Sequence, residues 1–197
     1  MNTPAHLIIS AYLYARPEAT KSDGNRHRTA AALIGGFLPD FSLYFGFVWA
    51  VFVLGRSPDV FFRIDYYRPE MQAIMAIDNS VFVWGALLAV ALWQKREVIS
   101  ITAITALVHI ALDFPLHNDD GRAHFWPVSD WVFVSPVSYW DPAHYGNIVA
   151  PLEALLCLAL LIVLFRRFSG WAARSVIVIA GIAQVAPTLA WMLFFGG

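Results

Sequence analysis

The sequence predicts an all-α membrane protein, a polytopic helical bundle with about five transmembrane helices and a short N-terminal helix. Hydrophobic residues make up 59% of the 197 residues and charged residues only 14%, whereas soluble domains are about 45–50% apolar. The mean hydropathy is +0.60. Several apolar runs approach the length of about 20 residues that a helix needs to cross a bilayer. Because no shift in composition divides the chain, residues 1–197 are expected to form a single integral membrane domain.

Each helix is predicted from its apolar run and from the residues at its ends. A first helix is expected to begin with Thr3 as its N-cap and Pro4 at its first position, and to end near Ala15. This helix is too short to cross a membrane alone. The longer spans are expected at residues 29–54, 77–93, 98–112, 148–165 and 175–195, and a long loop, 114–146, precedes the fourth of them.

The first long span is expected to bend near its centre. Proline lacks a backbone N–H and clashes with the preceding turn, so the pair Pro39-Asp40 predicts a kink. Gly35 and Gly36 stand just before it, and small residues of this kind let membrane helices approach closely. The glycine pair therefore favours close helix packing over phosphate binding, because no glycine-rich phosphate loop follows a strand here.

The distribution of charge predicts an orientation and excludes one class of partner. Lys and Arg are concentrated on one side of the predicted spans, which is expected to be cytoplasmic, so the aromatic loop 114–146 is expected to face the periplasm or the exterior. A net charge of -1 and the lack of a basic cluster exclude nucleic acid. The expected partner is membrane lipid, with other membrane-protein subunits as an alternative. The cytoplasmic set is Arg16, Lys21, Arg26, Arg28, Lys95, Arg96, Arg166, Arg167 and Arg174, and the opposite set is Arg56, Arg63, Arg68 and Arg122.

The segment from His109 to His117 carries the strongest functional signal. His109, Asp113 and His117 are four residues apart, so they share one face if the segment is helical. Imidazole nitrogen and carboxylate oxygen are ligands of a divalent metal such as zinc. Pro115 disfavours helical backbone at the residue before it, so His117 is either a third ligand or a loop histidine.

Acidic and histidine side chains from several predicted helices fall at one depth. Counting about 1.5 Å of rise per residue from the cytoplasmic ends places them in a slab roughly 15–22 Å deep. Ionisable groups at membrane depth are costly and usually functional, so a common polar site best explains the alignment. The residues in this slab are His6, Asp40, Asp78, His109, Asp113 and Glu153.

Four motifs in this order resemble one protein family. They are His6, Leu38-Pro39-Asp40, the pair His109 and Asp113, and Trp126-Pro127. Over roughly residues 1–135 the chain is similar to the YdjM-like family of bacterial inner-membrane metal-dependent hydrolases, which is itself distantly similar to zinc-dependent phospholipase C and the S1/P1 nucleases. The resemblance implies a metal-binding role for His6, Asp40, His109 and Asp113.

The chain departs from the family pattern at two places. The family element His-Arg-x-x-Thr-His-Ser corresponds here to Ala-Ile-Asp78-Asn79-Ser80, which lacks both histidines, and the family's second aspartate after Leu-Pro-Asp is Ser42 here. Asp78, His117 or His124 are alternatives for the missing ligand. Otherwise the site has lost its metal and its activity.

Two functions follow from these residues and this resemblance. The first is a membrane-embedded, metal-dependent hydrolase that acts on an amphipathic ester or phosphoester. The alternative is a non-catalytic accessory subunit of a larger membrane complex that keeps the hydrolase-like scaffold. A transporter is a weaker third hypothesis, because no inverted repeat is visible. The residues expected at the metal, with zinc as the expected ion, are His6, Asp40, His109, Asp113 and His117, and those expected to act as a catalytic base or further ligand are Glu153 and Asp78.

Overall fold

The computed structural model describes residues 1–17 and 24–195, with side chains through residue 186. Within these ranges the regular elements are all helical. Short 3₁₀ or π turns lie at Leu38–Asp40, Trp49–Val53, Phe61–Asp65 and Pro142–His144. The α-helices are α1 (Thr3–Tyr14), α2 (Asn25–Phe37), α3 (Phe41–Val48), α4 (Pro58–Val60), α5 (Pro69–Asp78), α6 (Val81–Trp93), α7 (Glu97–Asp113), α8 (Gly146–Arg167) and α9 (Trp171–Phe195).

In the part of the chain that the structure describes, three helical stretches are long and apolar enough to cross a membrane, namely Asn25–Val53, Pro69–Trp93 and Gly146–Arg167. The prediction of a helical, membrane-compatible chain is confirmed in this form. Helix α7, with 17 residues, is shorter than these three stretches. The part of α9 whose side chains are described, Trp171–Ala186, forms a shorter apolar helix. Lys21, one of the predicted cytoplasmic cations, lies outside the described residues.

The first two membrane-length stretches are both interrupted. The 3₁₀ turn Leu38–Asp40 separates α2 from α3, at the position where Pro39 predicts a kink. The second stretch begins at Pro69 rather than at residue 77, and it breaks between Asp78 and Val81. Ser80 is the N-cap of α6, because its side-chain oxygen accepts hydrogen bonds from backbone N–H groups in the first turn of that helix.

Helix α2 lies between α1 and α7, and its two central glycines allow close contact with both. A Cβ on Gly35 would overlap the carbonyl oxygen of Thr102 and the hydroxyl of Thr105, both on α7. A Cβ on Gly36 would overlap the side chain of Ser10 on α1. The expectation that the pair serves helix packing is confirmed, and this packing brings α1 and α7 together across α2.

The remaining core contacts place α8 against α1 and α6 against α7. Ala5 and Ile8 of α1 pack with Cys157 and Leu161 of α8, whereas Trp84 belongs to a second cluster with residues of α7. Close van der Waals packing of this kind is a main source of association between membrane helices. These contacts also hold the N-terminal end of α1 inside the bundle.

The long loop between α7 and α8 folds against the break between α5 and α6. The backbone N–H of Val81 donates to the carbonyl of His124 at 2.9 Å, and the hydroxyl of Ser80 donates to the carbonyl of Trp126. The ring of Phe114 stacks on that of Phe133 with centroids 4.8 Å apart. These contacts bring the polar residues of the loop to the level of the helix breaks.

Candidate metal centre

One histidine of α1 and a histidine and an aspartate of α7 form a buried group, here called the histidine–aspartate cluster (His6, His109 and Asp113). One ligand atom from each residue lies within 4.8 Å of the others, and each residue is only 1% exposed. His6 Nε2 lies 2.9 Å from Asp113 Oδ1, and His109 Nε2 lies 3.3 Å from Asp113 Oδ2. The two imidazole rings stack with centroids 3.5 Å apart. The cluster could therefore hold a metal ion.

The orientation of His109 fits a metal ligand. Its Nδ1 lies 2.8 Å from the carbonyl oxygen of Gly36, so a proton on Nδ1 donates to that carbonyl. Its Nε2 is buried, and although it lies 3.3 Å from Asp113 Oδ2 it makes no well-aligned hydrogen bond. A backbone carbonyl that holds one ring nitrogen while the other faces the site is the usual support for a metal-ligating histidine. The close approach of α2 at Gly36 thus serves both packing and orientation.

Asp40 lies beside the cluster at the end of the 3₁₀ turn. Its Oδ1 is 3.7 Å from His109 Nε2. Its Oδ2 accepts a hydrogen bond of 2.5 Å from the hydroxyl of Thr3, and that hydroxyl accepts one of 3.0 Å from Tyr44. Asp40 is therefore positioned as a neighbour of the three-residue cluster, and its orientation is fixed by the first turn of α1.

His117 reaches the cluster from the loop and not from the next turn of α7. The helix ends at Asp113, two residues before Pro115. His117 Nε2 nevertheless lies 3.2 Å from Asp113 Oδ2, and its Nδ1 lies 2.9 Å from Asp120 Oδ2. Burial alone would lower the pKa of His117, but the Asp113 carboxylate and then Asp120 raise this pKa above its ordinary value.

Arg122 lies beside the cluster, although the sequence predicts it only as one of the basic residues on the non-cytoplasmic side of the membrane. It is 5% exposed, and its Nη1 lies 3.4 Å from Asp40 Oδ1 and 3.6 Å from Asp113 Oδ2. The same nitrogen donates to Asn79 Oδ1 at 3.2 Å. Burial alone would lower the pKa of Arg122, but Tyr66 and Asp40 raise it above its ordinary value, so the guanidinium keeps its charge. An irregular loop has no periodicity that signals such a residue.

A second positive group reaches the cluster. The amino group of Met1 donates to Asp113 Oδ1 at 2.5 Å, and both groups are buried. Asp113 thus receives contacts from His6, Arg122 and Met1 at once. Because a carboxylate oxygen has few lone pairs, an ion that bound Asp113 would compete with these donors.

Asp78 and His124 make their contacts with backbone groups beside the cluster. Asp78 Oδ2 accepts from the backbone N–H of Ser42 at 3.0 Å, at the first turn of α3. His124 Nδ1 lies 3.0 Å from the carbonyl oxygen of Asn79. These contacts tie the second helix break to the kink and the loop. The catalytic role of Asp78 stays a prediction.

Glu153 lies on α8 and is connected to the cluster through the start of α1. Its Oε1 accepts from the backbone N–H and the side-chain Nδ2 of Asn2 at 3.2 and 3.1 Å. It also accepts from Gln184 Nε2 at 2.7 Å. Asn2 follows Met1, whose amino group contacts Asp113. The predicted catalytic role of Glu153 stays a prediction, since these contacts connect it with Asn2 and Gln184.

No family model matches the chain, and neither a curated protein nor a solved structure does. The resemblance to the YdjM-like hydrolases therefore rests on its motifs. The structure brings His6, Asp40, His109 and Asp113, the residues that those motifs share with the family, to one place. Trp126, from the fourth motif, contacts the break before α6 through its carbonyl oxygen.

Proposed function

We propose that this chain is a membrane-embedded, metal-dependent hydrolase that acts on an amphipathic phosphoester. The observation that carries the proposal is the environment of His109. Its Nδ1 is held by the Gly36 carbonyl, and its buried Nε2 makes no well-aligned hydrogen bond beside Asp113 and His6. Two imidazoles and a carboxylate are a ligand set that suits zinc, which is the proposed ion.

The proposal places the protein in a bacterial inner membrane with five spans, of which α7 and α9 are two. The distribution of basic residues supports this arrangement. Arg28 at the start of α2 pairs with Glu97 at the start of α7, with 2.8 Å between their charged groups. Arg167 at the end of α8 donates to the carbonyl of Ala15 at 2.8 Å, just after α1. These helix ends share one side, proposed to be cytoplasmic, so the aromatic loop lies on the periplasmic side.

The cluster residues would hold the ion, and the neighbouring residues would bind the substrate. His6, His109 and Asp113 are the proposed ligands, with Asp40 and His117 beside them. A bound zinc ion polarises a phosphoryl oxygen and lowers the pKa of a water molecule. Arg122 keeps a buried positive charge next to the ligands, and a guanidinium pairs well with phosphate oxygens. This charge favours a phosphoester over a carboxylic ester as the substrate.

The proposal is tested by turnover of a phosphodiester and of a phospholipid by the purified protein in detergent. We expect hydrolysis that a chelator abolishes and zinc restores. Loss of Arg122 in Arg122→Gln should lower turnover by about 10²–10³-fold, the typical effect of removing one transition-state donor. The exposed Arg63→Gln variant is the matched control and should retain activity. A zinc-loaded wild type that hydrolyses neither substrate would contradict the proposal.

A non-catalytic accessory subunit is the second candidate, and the position of Arg122 favours it. The guanidinium already lies against both Asp40 and Asp113, so it offsets their charge without an ion. The chain also lacks the two family histidines before Ser80. Under this alternative, the purified protein contains no zinc, and a chelator leaves its melting temperature unchanged.

A further inference from the structure

We infer that Glu153 and Gln184 form the polar end of a second binding site, for a single-chain lipid whose uncharged head carries two hydroxyl groups. Monoacylglycerol has this chemistry. We call the two residues the glutamate–glutamine pair. The inference rests on their own contacts and on a groove between α8 and α9, and it does not depend on metal binding at the histidine–aspartate cluster.

Both residues of the pair carry a buried oxygen that lacks a partner. Glu153 is 4% exposed and Gln184 is 2% exposed. Gln184 Nε2 donates to Glu153 Oε1 at 2.7 Å, whereas Glu153 Oε2 and Gln184 Oε1 have no hydrogen-bond partner. Buried acceptors without a donor are unfavourable and uncommon in folded proteins. Two such oxygens on touching side chains point to a ligand that supplies two donors.

One member of the pair, Gln184, lines a groove that suits a hydrocarbon chain, and Glu153 contacts Gln184 beside it. The groove has a volume of about 580 Å³, and Gln184 is the only polar side chain among the described residues that line it. Because α8 is a membrane-length apolar helix, lipid chains are the molecules that reach such a surface. The apolar walls include Ala154, Leu158 and Leu161 of α8 and Val178, Gly181 and Ile182 of α9.

The length of the groove matches a chain that extends from the pair toward the cytoplasmic end. Along α8 the residues that line the groove run from Pro151 to Leu161, which is about 15 Å of helical rise. A chain that lies along this distance keeps its methylene groups against the apolar walls, and its head then meets Gln184. The site would therefore bind an amphiphile by one chain and one head.

The depth and charge of the site select the head. Glu153 lies about 21 Å of helical rise from Arg167, inside a hydrocarbon core of about 30 Å. The head of the ligand is thus below the level of phosphate groups. No Lys or Arg is among the described residues that line the groove, so a phosphate would lack a counter-charge there. A small, uncharged diol fits both conditions and supplies one donor for each unpaired oxygen.

The test compares lipids that share one chain and differ in their donors. Native mass spectrometry of delipidated protein would measure the binding of 1-monooleoylglycerol, oleyl alcohol and methyl oleate, which carry two, one and no hydroxyl groups. We expect affinity to fall about tenfold with each lost donor, because each loss leaves a buried acceptor unpaired. Oleylamine is a further probe and should bind more weakly than the diol.

Variants separate the head contact from the chain contact. Gln184→Leu removes one acceptor, so the preference for monooleoylglycerol over oleyl alcohol should disappear. Glu153→Gln keeps the shape but puts an amide donor where Oε2 is, so it should lower diol binding by about tenfold or more. Ala154→Phe fills the groove and should abolish binding of all three lipids. Ala183→Phe is its matched control, because Ala183 is exposed on α9 and does not line the groove.

Several results would overturn the inference. They are equal binding of the three lipids, tighter binding of oleylamine than of the diol, or equal effects of Ala154→Phe and Ala183→Phe. The His109→Ala variant distinguishes the two proposals. Diol selectivity should survive in it, while zinc is lost. A wild type that lacks zinc but selects the diol would count against the metal proposal alone.

Discussion

The two buried polar groups of this chain differ in how their atoms are paired. At the histidine–aspartate cluster, carboxylates meet imidazoles and the guanidinium of Arg122, so both signs of charge converge. At the glutamate–glutamine pair, one oxygen of each side chain lacks a partner, and Gln184 lines an apolar groove. The first environment suits an ion and an anionic substrate, whereas the second suits a neutral donor. The comparison shows that depth alone does not define a common site, because the partners of each oxygen determine what it can bind.

The comparison predicts its largest effect at Asp113. Asp113→Ala removes the carboxylate that contacts His6, His117 and Arg122, so the guanidinium loses a buried partner. We expect the free energy of unfolding to fall by about 3–5 kcal/mol, measured by denaturation in detergent, together with loss of bound zinc. Glu153→Gln is the control, since its amide oxygen can still accept from Gln184. Equal stabilities of Asp113→Ala and Glu153→Gln would contradict the view that only the histidine–aspartate cluster depends on paired charges.

A smaller effect is expected from a change that keeps the charge of Arg122. Arg122→Lys should lower the free energy of unfolding by about 1.5–3 kcal/mol, because the ammonium of lysine does not occupy the position of Nη1, which contacts both Asn79 and Asp40. Arg63→Lys is the matched control. Arg63 pairs with Asp59 at the surface, with 79% of its side chain exposed, so this change should alter stability by less than about 0.5 kcal/mol. A comparable loss in both variants would contradict a buried role for Arg122.

The helix contact that orients His109 can be tested with two glycines. In Gly36→Ala the new Cβ would collide with Ser10 and move α1 away from α2. We expect a loss of about 1–3 kcal/mol in the free energy of unfolding, measured by denaturation, and a weaker zinc affinity, measured by competition with a chelator. At Gly85 a Cβ meets nothing within 4 Å, so Gly85→Ala should leave zinc affinity unchanged. Equal zinc affinities for the two variants would show that close packing does not support the site.

The smallest effect is expected at the edge of the cluster. Tyr44→Phe removes the hydroxyl that donates to Thr3, which in turn donates to Asp40. Because the hydroxyl of Tyr44 reaches Asp40 only through Thr3, the loss in stability should be about 0.5 kcal/mol, the lower end for one hydrogen bond. Thr3→Val, which removes the direct donor to Asp40, should cost more in both stability and zinc affinity. A larger loss in Tyr44→Phe than in Thr3→Val would contradict the expectation that the hydrogen bond from Thr3 orients Asp40.

The residues of the cluster could be predicted because simple rules apply to them. His109 and Asp113 share a helix face through their spacing, and in the structure His109 Nε2 lies 3.3 Å from Asp113 Oδ2. The glycine pair of α2 predicts close packing, and helical rise predicts that His6 lies at a similar depth. Spacing and depth therefore predict that these residues lie close together, but the same depth argument also included Glu153, which contacts Asn2 and Gln184 instead.

The remaining features depend on contacts that a single sequence does not display. The polar triplet Asp78-Asn79-Ser80 marks the helix break in the sequence, but nothing in the sequence shows that His124 and Trp126 of the long loop pack against it. Arg122 belongs to an irregular loop, where no period relates a residue to a face. The pairing of Glu153 with Gln184 depends on the register of α8 and α9, which are apolar on most sides. Sequence patterns report local geometry well and the register between such helices poorly.

Metal analysis of the purified protein, combined with zinc X-ray absorption, tests the central claim most directly. We expect about one zinc per chain with nitrogen or oxygen ligands at about 2.0–2.1 Å. This signal should vanish in a protein with both His109→Ala and Asp113→Ala and persist in Glu153→Gln. A folded wild-type protein without bound zinc, even after incubation with the metal, would contradict the account.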